Sequence, residues 1–321
     1  MGDTFHGKRS LAPLASALTG IRGERMEQVH LTLAARFPDY SVATPLKELQ
    51  ERHTLVRTWG VRGLLQVVST PELPLYLGAA GASPRWKRFL ESRSPLGPQA
   101  RLRLLKRLCP KEISRDKLRE AFPDASTRQF VLRESAQAGH IVWSGGDGAA
   151  ARFGWTKDVL GKVVEPQRNY QELVARYLTT YGPLTAADLS FWLGVTVAAA
   201  RQIMAKHRVA EVQVEGESTP YFIHPAGLDA LVATRKRDQR GFVVIAPGDP
   251  LVTAYKTRWR ENEDSGDMGL AFEDGRLVAR WSLGRADAKI EPIDPELTKK
   301  VHKAVRSLLE RAGVNAAMLP V

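Results

Sequence analysis

Between residues 170 and 181 the apolar side chains fall at Tyr170, Leu173, Val174, Tyr177, Leu178 and Tyr181, the spacing of one face of an α-helix. An aromatic stripe of this kind is read as core, because large rings turned inward bury the most apolar area. Gly182-Pro183 ends the segment, and Thr185 is placed to cap a second helix that Phe191 and Trp192 anchor to the first. Residues 197–207, rich in small and basic side chains, predict a third helix. Two strands follow at 212–215 and 221–223, with Gly216 at the turn.

The same succession recurs upstream. A short helix opened by Ser114 over residues 113–118 leads to a helix over 126–137. Strands at 141–143 and 152–155 then flank Gly145-Gly146-Asp147-Gly148, which reads as a wing tip. Nearer the start, residues 11–18 and 26–37 predict helices, the second with Val29, Leu33 and Phe37 at four-residue spacing, and residues 20–23 interrupt them. Thr44 is placed as a cap with Pro45 at the first helical position, and strands are expected at 55–59 and 64–68. Helix, helix and a glycine-turned strand pair is the pattern of a winged helix. Beyond Pro225 the pattern changes to strands at 241–246, 268–272 and 277–282, a hairpin turn at Glu273-Asp274-Gly275, and a closing helix over 295–312. The expected class is therefore α+β. Three tandem winged-helix modules occupy residues 1–80, 81–165 and 166–225, and a small β-rich domain occupies 226–321.

Charge narrows the partner. The 321 residues carry a net charge of +12 and a pI near 9.9, which favours a polyanion, and nucleic acid above all. No apolar run approaches the roughly 20 residues of a membrane span, and residues 1–10 hold no apolar signal core, so the expectation is a cytoplasmic, nucleoid-associated protein without a membrane partner. The single cysteine, Cys109, excludes an internal disulfide and a cysteine zinc cluster, and the seven histidines lack ligand spacing; neither metal nor cofactor is expected. Between residues 81 and 120 twelve Lys or Arg face four acids. There Leu102, Leu105 and Leu108 form an inward stripe while Arg101, Arg103, Lys106 and Arg107 surround it, which favours phosphate contact.

Several strings resemble a family when taken in order. Leu55-Val56-Arg57-Thr58-Trp59-Gly60-Val61-Arg62-Gly63 is similar to the wing segment of the bacterial winged-helix DNA glycosylases of the AlkZ/YcaQ type. Gly182-Pro183-Leu184-Thr185-Ala186-Ala187-Asp188 is similar to part of their third winged helix. Pro247-Gly248-Asp249-Pro250-Leu251 resembles a string of their C-terminal domain, with glycine in place of an aromatic. The resemblance spans nearly the whole chain. It implies three tandem winged helices with a barrel-like C-terminal domain, and removal of alkylated or crosslinked purines from duplex DNA by hydrolysis of the N-glycosidic bond, as a step of DNA repair. The family carries glutamine, any residue, then glutamine or aspartate after its first helix, and here Arg22 and Glu24 stand in that place.

Chemistry makes Glu24 the stronger catalytic candidate of the two. Breaking the glycosidic bond builds positive charge on the sugar, which a carboxylate stabilises while it orients or deprotonates the attacking water. Arg22 accepts no proton, so it is expected to bind a phosphate or to pair with Glu24. Arg57 and Arg62 are candidate phosphate contacts, Trp59 a candidate wedge or stacking ring set against an ordinary core tryptophan, and Arg128 and Gln129 lie early in the second module's presumed recognition helix. Two classes remain open on the residues alone: a monomeric glycosylase, or a winged-helix DNA-binding or regulatory protein without chemistry.

Overall fold

The computed structural model describes residues 11–81, 85–234, 240–256, 258–259, 268–284 and 287–315; the N-terminal stretch 1–10, read above for a signal core, lies outside them. The first unit contains α1 (Ala12–Ala17), β1 (Ile21–Arg22), α2 (Met26–Ala34), α3 (Ala43–Gln50), β2 (Leu55–Trp59), β3 (Leu65–Ser69) and α4 (Leu73–Ala80). Its three strands pair antiparallel in the order β1-β3-β2. Every residue of β2 and β3 is buried, so these strands read as continuous runs where a half-exposed sheet would alternate. Strand β1, read from sequence as part of an interruption, forms because Ile21 and Arg22 lie opposite Val67 and Gln66. Thr19 (φ 52°) and Gly20 (φ 90°) make the reversal before it; the left-handed backbone at Gly20 is one that only glycine adopts cheaply. Thr44 does not cap α3: the helix begins a residue earlier, at Ala43, and its N-cap position is Val42, which has no side-chain oxygen to offer.

The second unit runs through α5 (Arg85–Arg93), α6 (Pro98–Leu108), β4 (Glu112–Ser114), α7 (Ala125–Gln137), β5 (Ile141–Gly145), β6 (Arg152–Trp155) and α8 (Thr156–Leu160), with strand order β4-β6-β5. The helix expected over 113–118 is instead β4 followed by one 3-10 turn. Ile113 is wholly buried opposite Phe153, and that cross-strand pair outweighs the local helical signal. The third unit has α9 (Gln171–Tyr181), α10 (Ala186–Leu193), α11 (Val197–Met204) and a single pair of strands, β7 (Ala210–Val212) and β8 (Tyr221–Ile223). Its aromatic stripe is core as expected, with Trp192 stacked on Tyr177 at 4.1 Å. Thr185 caps α10 in a reciprocal box: its hydroxyl accepts from the Asp188 amide while Asp188 accepts from the Thr185 amide.

The C-terminal part holds α12 (Pro225–Ala233), β9 (Phe242–Ile245), α13 (Pro250–Thr253), β10 (Gly269–Glu273), β11 (Arg276–Leu283), β12 (Ala288–Pro292) and α14 (Thr298–Arg311). The strands form an antiparallel meander in the order β12-β11-β10-β9. Val301, Val305, Leu308 and Leu309 of α14 share a core with Trp281 and Val278 of that sheet and with Leu31 and Ala34 of α2, so the end of the chain packs back on the first unit. Cores cross unit boundaries elsewhere too. Trp59 of the first sheet stacks on Phe153 of the second at 5.1 Å, and Val56, Val68 and Tyr76 share a core with Tyr177, Trp192 and Tyr255. The first sheet is thus packed between its neighbours, and the turn at residues 18–24 lies where they meet.

Candidate active site

At that turn the chain forms a small recess lined by Thr19, Gly20, Arg22, Val61, Arg62, Gln66, Tyr181, Trp192, Pro250 and Thr253, with Leu18 and Leu64 completing its wall. Its free volume of about 20 Å³ holds a water molecule but not a purine. Three regions far apart in sequence supply the wall. The first unit gives the turn and β3, the third gives the end of α9 and α10, and the Asp249 segment gives α13. Asp249 fixes its segment there. It is wholly buried, accepts two hydrogen bonds from Arg36 at 2.5 and 2.9 Å, and caps α13 through the Leu251 amide at 2.9 Å. Tyr181 donates its hydroxyl to the Leu18 carbonyl at 2.7 Å, and Tyr255 donates to the Tyr181 carbonyl at 2.7 Å. Burial pushes the Tyr181 phenol far above the usual tyrosine range, so it stays a neutral donor that holds the turn.

Arg22 lies on the wall and is ion-paired to Glu24 through its Nε. Glu24 does not line the recess itself; its carboxylate, one-third exposed, stands beside it at the other end of that pair. Of the two roles expected for Arg22 the structure shows the pairing with Glu24, whose charge offsets the guanidinium. Gly248, which takes the place of an aromatic residue in the family string, packs against Arg22. A Cβ at Gly248 would stand 3.4 Å from Arg22 Cδ and 3.3 Å from Gln28 Nε2. The smaller residue at 248 and the longer one at 22 thus fit together.

Gln66 escaped the sequence reading. It lies opposite Arg22 in the β1–β3 pair, lines the recess, and binds the Val61 amide through Oε1 at 2.8 Å. The available signal was a lone amide in the otherwise apolar run Leu65-Gln66-Val67-Val68. Asp147 was likewise read only as part of a wing tip. It turns inward instead, accepting from the Met26 amide and from Arg57, both at 2.7 Å.

The remaining candidates separate by burial. Arg57 is 1% exposed: Nε donates to the Gly23 carbonyl at 2.6 Å and Nη2 to the Glu24 carbonyl at 2.8 Å as well as to Asp147. Trp59 is 2% exposed against Phe153, and Arg101 is 1% exposed with Nε and Nη2 on the two oxygens of Glu134 at 2.8 and 2.7 Å. These three side chains are engaged by protein and cannot meet DNA without unpacking, so they are set aside as DNA contacts. Arg103 and Arg107 are exposed on α6, beside a stripe in which Leu105 is buried, Leu102 half-buried and Leu108 exposed. Arg62 is half-buried over the Phe191 ring at 4.1 Å, a cation–π contact at the edge of the recess. Gln129 is exposed on α7, whereas Arg128 donates to the Phe122 and Pro123 carbonyls at 2.6 and 2.5 Å. Among the described residues no group of three or more His, Cys, Asp or Glu is placed to hold a metal ion.

Comparison with known proteins identifies the family of the chain. The family described as DNA glycosylase AlkZ-like matches residues 15–317, and the chain belongs to it. Its reaction class is hydrolysis of the N-glycosidic bond of a base in DNA. The interstrand DNA cross-link repair glycosylase of Streptomyces sahachiroi is 23% identical, in an alignment that covers 97% of this chain and 93% of that protein. The solved structure of Streptomyces sahachiroi DNA glycosylase AlkZ superimposes with a TM-score of 0.72 at 20% identity, covering 98% of this chain and 94% of that one, which is a likeness of fold. No helix among the described residues is long and apolar enough to cross a membrane.

Proposed function

We propose that this glycosylase acts as a monomer on chromosomal DNA in the cytoplasm and releases alkylated or crosslinked purines at the turn formed by residues 20–24. The observation that carries it is the ion pair between Arg22 and Glu24 at a water-sized recess where three parts of the chain converge. In this reading Glu24 orients or deprotonates the attacking water and offsets the charge that develops on the sugar. Arg22 holds that carboxylate in place. An N7-alkylated purine is already cationic and leaves without a strong acid to protonate it. The recess is too small to enclose a base, which supports attack on a lesion that stays outside a closed pocket rather than one flipped into it.

The three units with their helix-and-sheet succession are, in this proposal, tandem winged helices at residues 1–80, 81–165 and 166–225. The four-stranded meander with α14 takes the part of the barrel-like domain at 226–321. Arg62 at the recess and Arg103, Arg107 and Gln129 on exposed helix faces are the proposed DNA contacts; Arg128 would join them only by releasing its two carbonyls. The test is base release from a duplex carrying N7-methylguanine. Release well above the spontaneous rate is expected. Tight, salt-sensitive binding without release would make the protein a binding module that has lost its chemistry.

A further inference from the structure

We infer that Asp147, reaching across from the second unit, is a positioning residue for Glu24 and acts through Arg57. The inference rests on the role just proposed for Glu24. Arg57 is buried in the β2–β3 strand pair, and its guanidinium grips the carbonyls of Gly23 and Glu24, which lie on either side of the Glu24 Cα, at 2.6 and 2.8 Å. A guanidinium is planar with donors in fixed directions, so its orientation dictates where those carbonyls lie. Asp147 sets that orientation: one oxygen takes Arg57 Nη2 at 2.7 Å and the other takes the Met26 amide at 2.7 Å. Met26 opens α2, where backbone N–H groups have no partner within the helix, so the same carboxylate fixes the start of the helix that follows Glu24. Residues 23–26 are therefore held at both ends by one carboxylate that lies more than a hundred residues further along the chain.

The wing of the second unit is shaped to deliver this group. The β5–β6 register shifts between Trp143 and Gly145, and Gly146 adopts φ 67°, where a Cβ would stand 2.0 Å from the Ala150 carbonyl oxygen. Any side chain at 146 would open the turn and move Asp147 away. Trp143 closes the other side, with the Arg57 guanidinium 5.2 Å from its ring and its own Nε1 donating to the Gly146 carbonyl at 2.8 Å. A loop that reads as a free wing tip is thus a brace behind the catalytic turn.

The test compares wild type, Asp147→Ala, Asp147→Asn, Glu24→Gln and the Asp147→Ala/Glu24→Gln double variant in single-turnover base release from the N7-methylguanine duplex. Thermal melting checks that each is folded. Displacing a catalytic group by an ångström costs about 10²-fold, so Asp147→Ala is expected to slow release by up to that factor with DNA affinity unchanged within about twofold. Asp147→Asn keeps an acceptor and should recover part of the loss. The double variant should release base no more slowly than Glu24→Gln alone, because a residue that acts through Glu24 has nothing left to position. Multiplying losses, or an unaltered rate in Asp147→Ala, would overturn the inference. If wild type itself releases no base, the glycosylase role of Glu24 is what has failed, and hydrogen exchange at the amides of residues 23–26 then decides: faster exchange in Asp147→Ala and Asp147→Asn supports the brace, and unchanged exchange overturns it.

Discussion

The strand pairs of the first and third units carry similar sequence patterns and sit in opposite surroundings. All ten residues of β2 and β3 are buried, whereas in β7 and β8 only Ile223 is. The first pair gains a third strand, β1, and is packed between the second and third units, so even its arginine and threonine point into protein. Among the described residues the pair in the third unit is joined by no further strand, only by an isolated bridge between Leu184 and Phe222, and it leaves Glu211 in solvent. A repeated module therefore does not give a repeated surface. The same contrast divides the arginines of α6: two positions apart, Arg101 is sealed against Glu134 and Arg103 is exposed.

That contrast breaks if the buried side loses no more than the exposed side on truncation. Trp59→Ala should destabilise the protein by about 3–5 kcal/mol, against less than about 1 kcal/mol for Val212→Ala, both read from denaturant midpoints. Arg101→Met is the next largest case. It leaves the Glu134 carboxylate without its bidentate partner and should cost roughly 2–4 kcal/mol, below the range for a fully buried pair because Glu134 is 20% exposed. Arg103→Gln should lie within about 0.5 kcal/mol of wild type. Binding should show the reverse. Replacing Arg103 and Arg107 together is expected to reduce the salt dependence of DNA affinity by about one unit per lost phosphate contact, while a folded Arg101 variant keeps the wild-type slope.

The smallest effect concerns pH. Burial lowers the pKa of His30, His140 and His207 below the ordinary 6.5, so the unfolded chain takes up protons first. Stability from their neutral forms is present above pH 6.5 and is lost as the pH falls through that value towards the lower folded pKa values. Melting temperatures between pH 8 and 5.5 should therefore fall gently, and His30→Gln should flatten the fall. A melting temperature that rises on acidification would contradict the burial of these rings.

What could be read from the sequence were features set within a few residues. The aromatic stripe of α9, the Thr185 cap and the Glu273-Asp274-Gly275 hairpin all depend on local spacing and local hydrogen bonds. Strands β1, β4 and β12 escaped because each is only two to five residues long and exists through a partner elsewhere: Ile21 through Val67, Ile113 through Phe153, Ile290 through Trp281. The turn at Arg22 and Glu24 was located from its place after the first helix, but the burial of Arg57, the inward aim of Asp147 and the place of Gln66 were not visible. Nothing local distinguishes an arginine that meets a phosphate from one that meets a neighbouring unit's carboxylate. Gly248 is the instructive intermediate: its departure from the family string was plain, whereas its left-handed backbone at φ 77° and its place beside Arg22 and Gln28 needed the fold.

The most direct test of the proposed catalytic turn measures base release and DNA binding side by side for wild type, Glu24→Gln and Arg22→Gln on a duplex with a cationic N7-alkylated guanine. Loss of a positioned acid or base costs about 10²- to 10⁴-fold, so Glu24→Gln should slow release by that range with affinity nearly unchanged, and Arg22→Gln should slow it less. Release by Glu24→Gln at the wild-type rate would remove Glu24 from the mechanism and move the chemistry away from this turn.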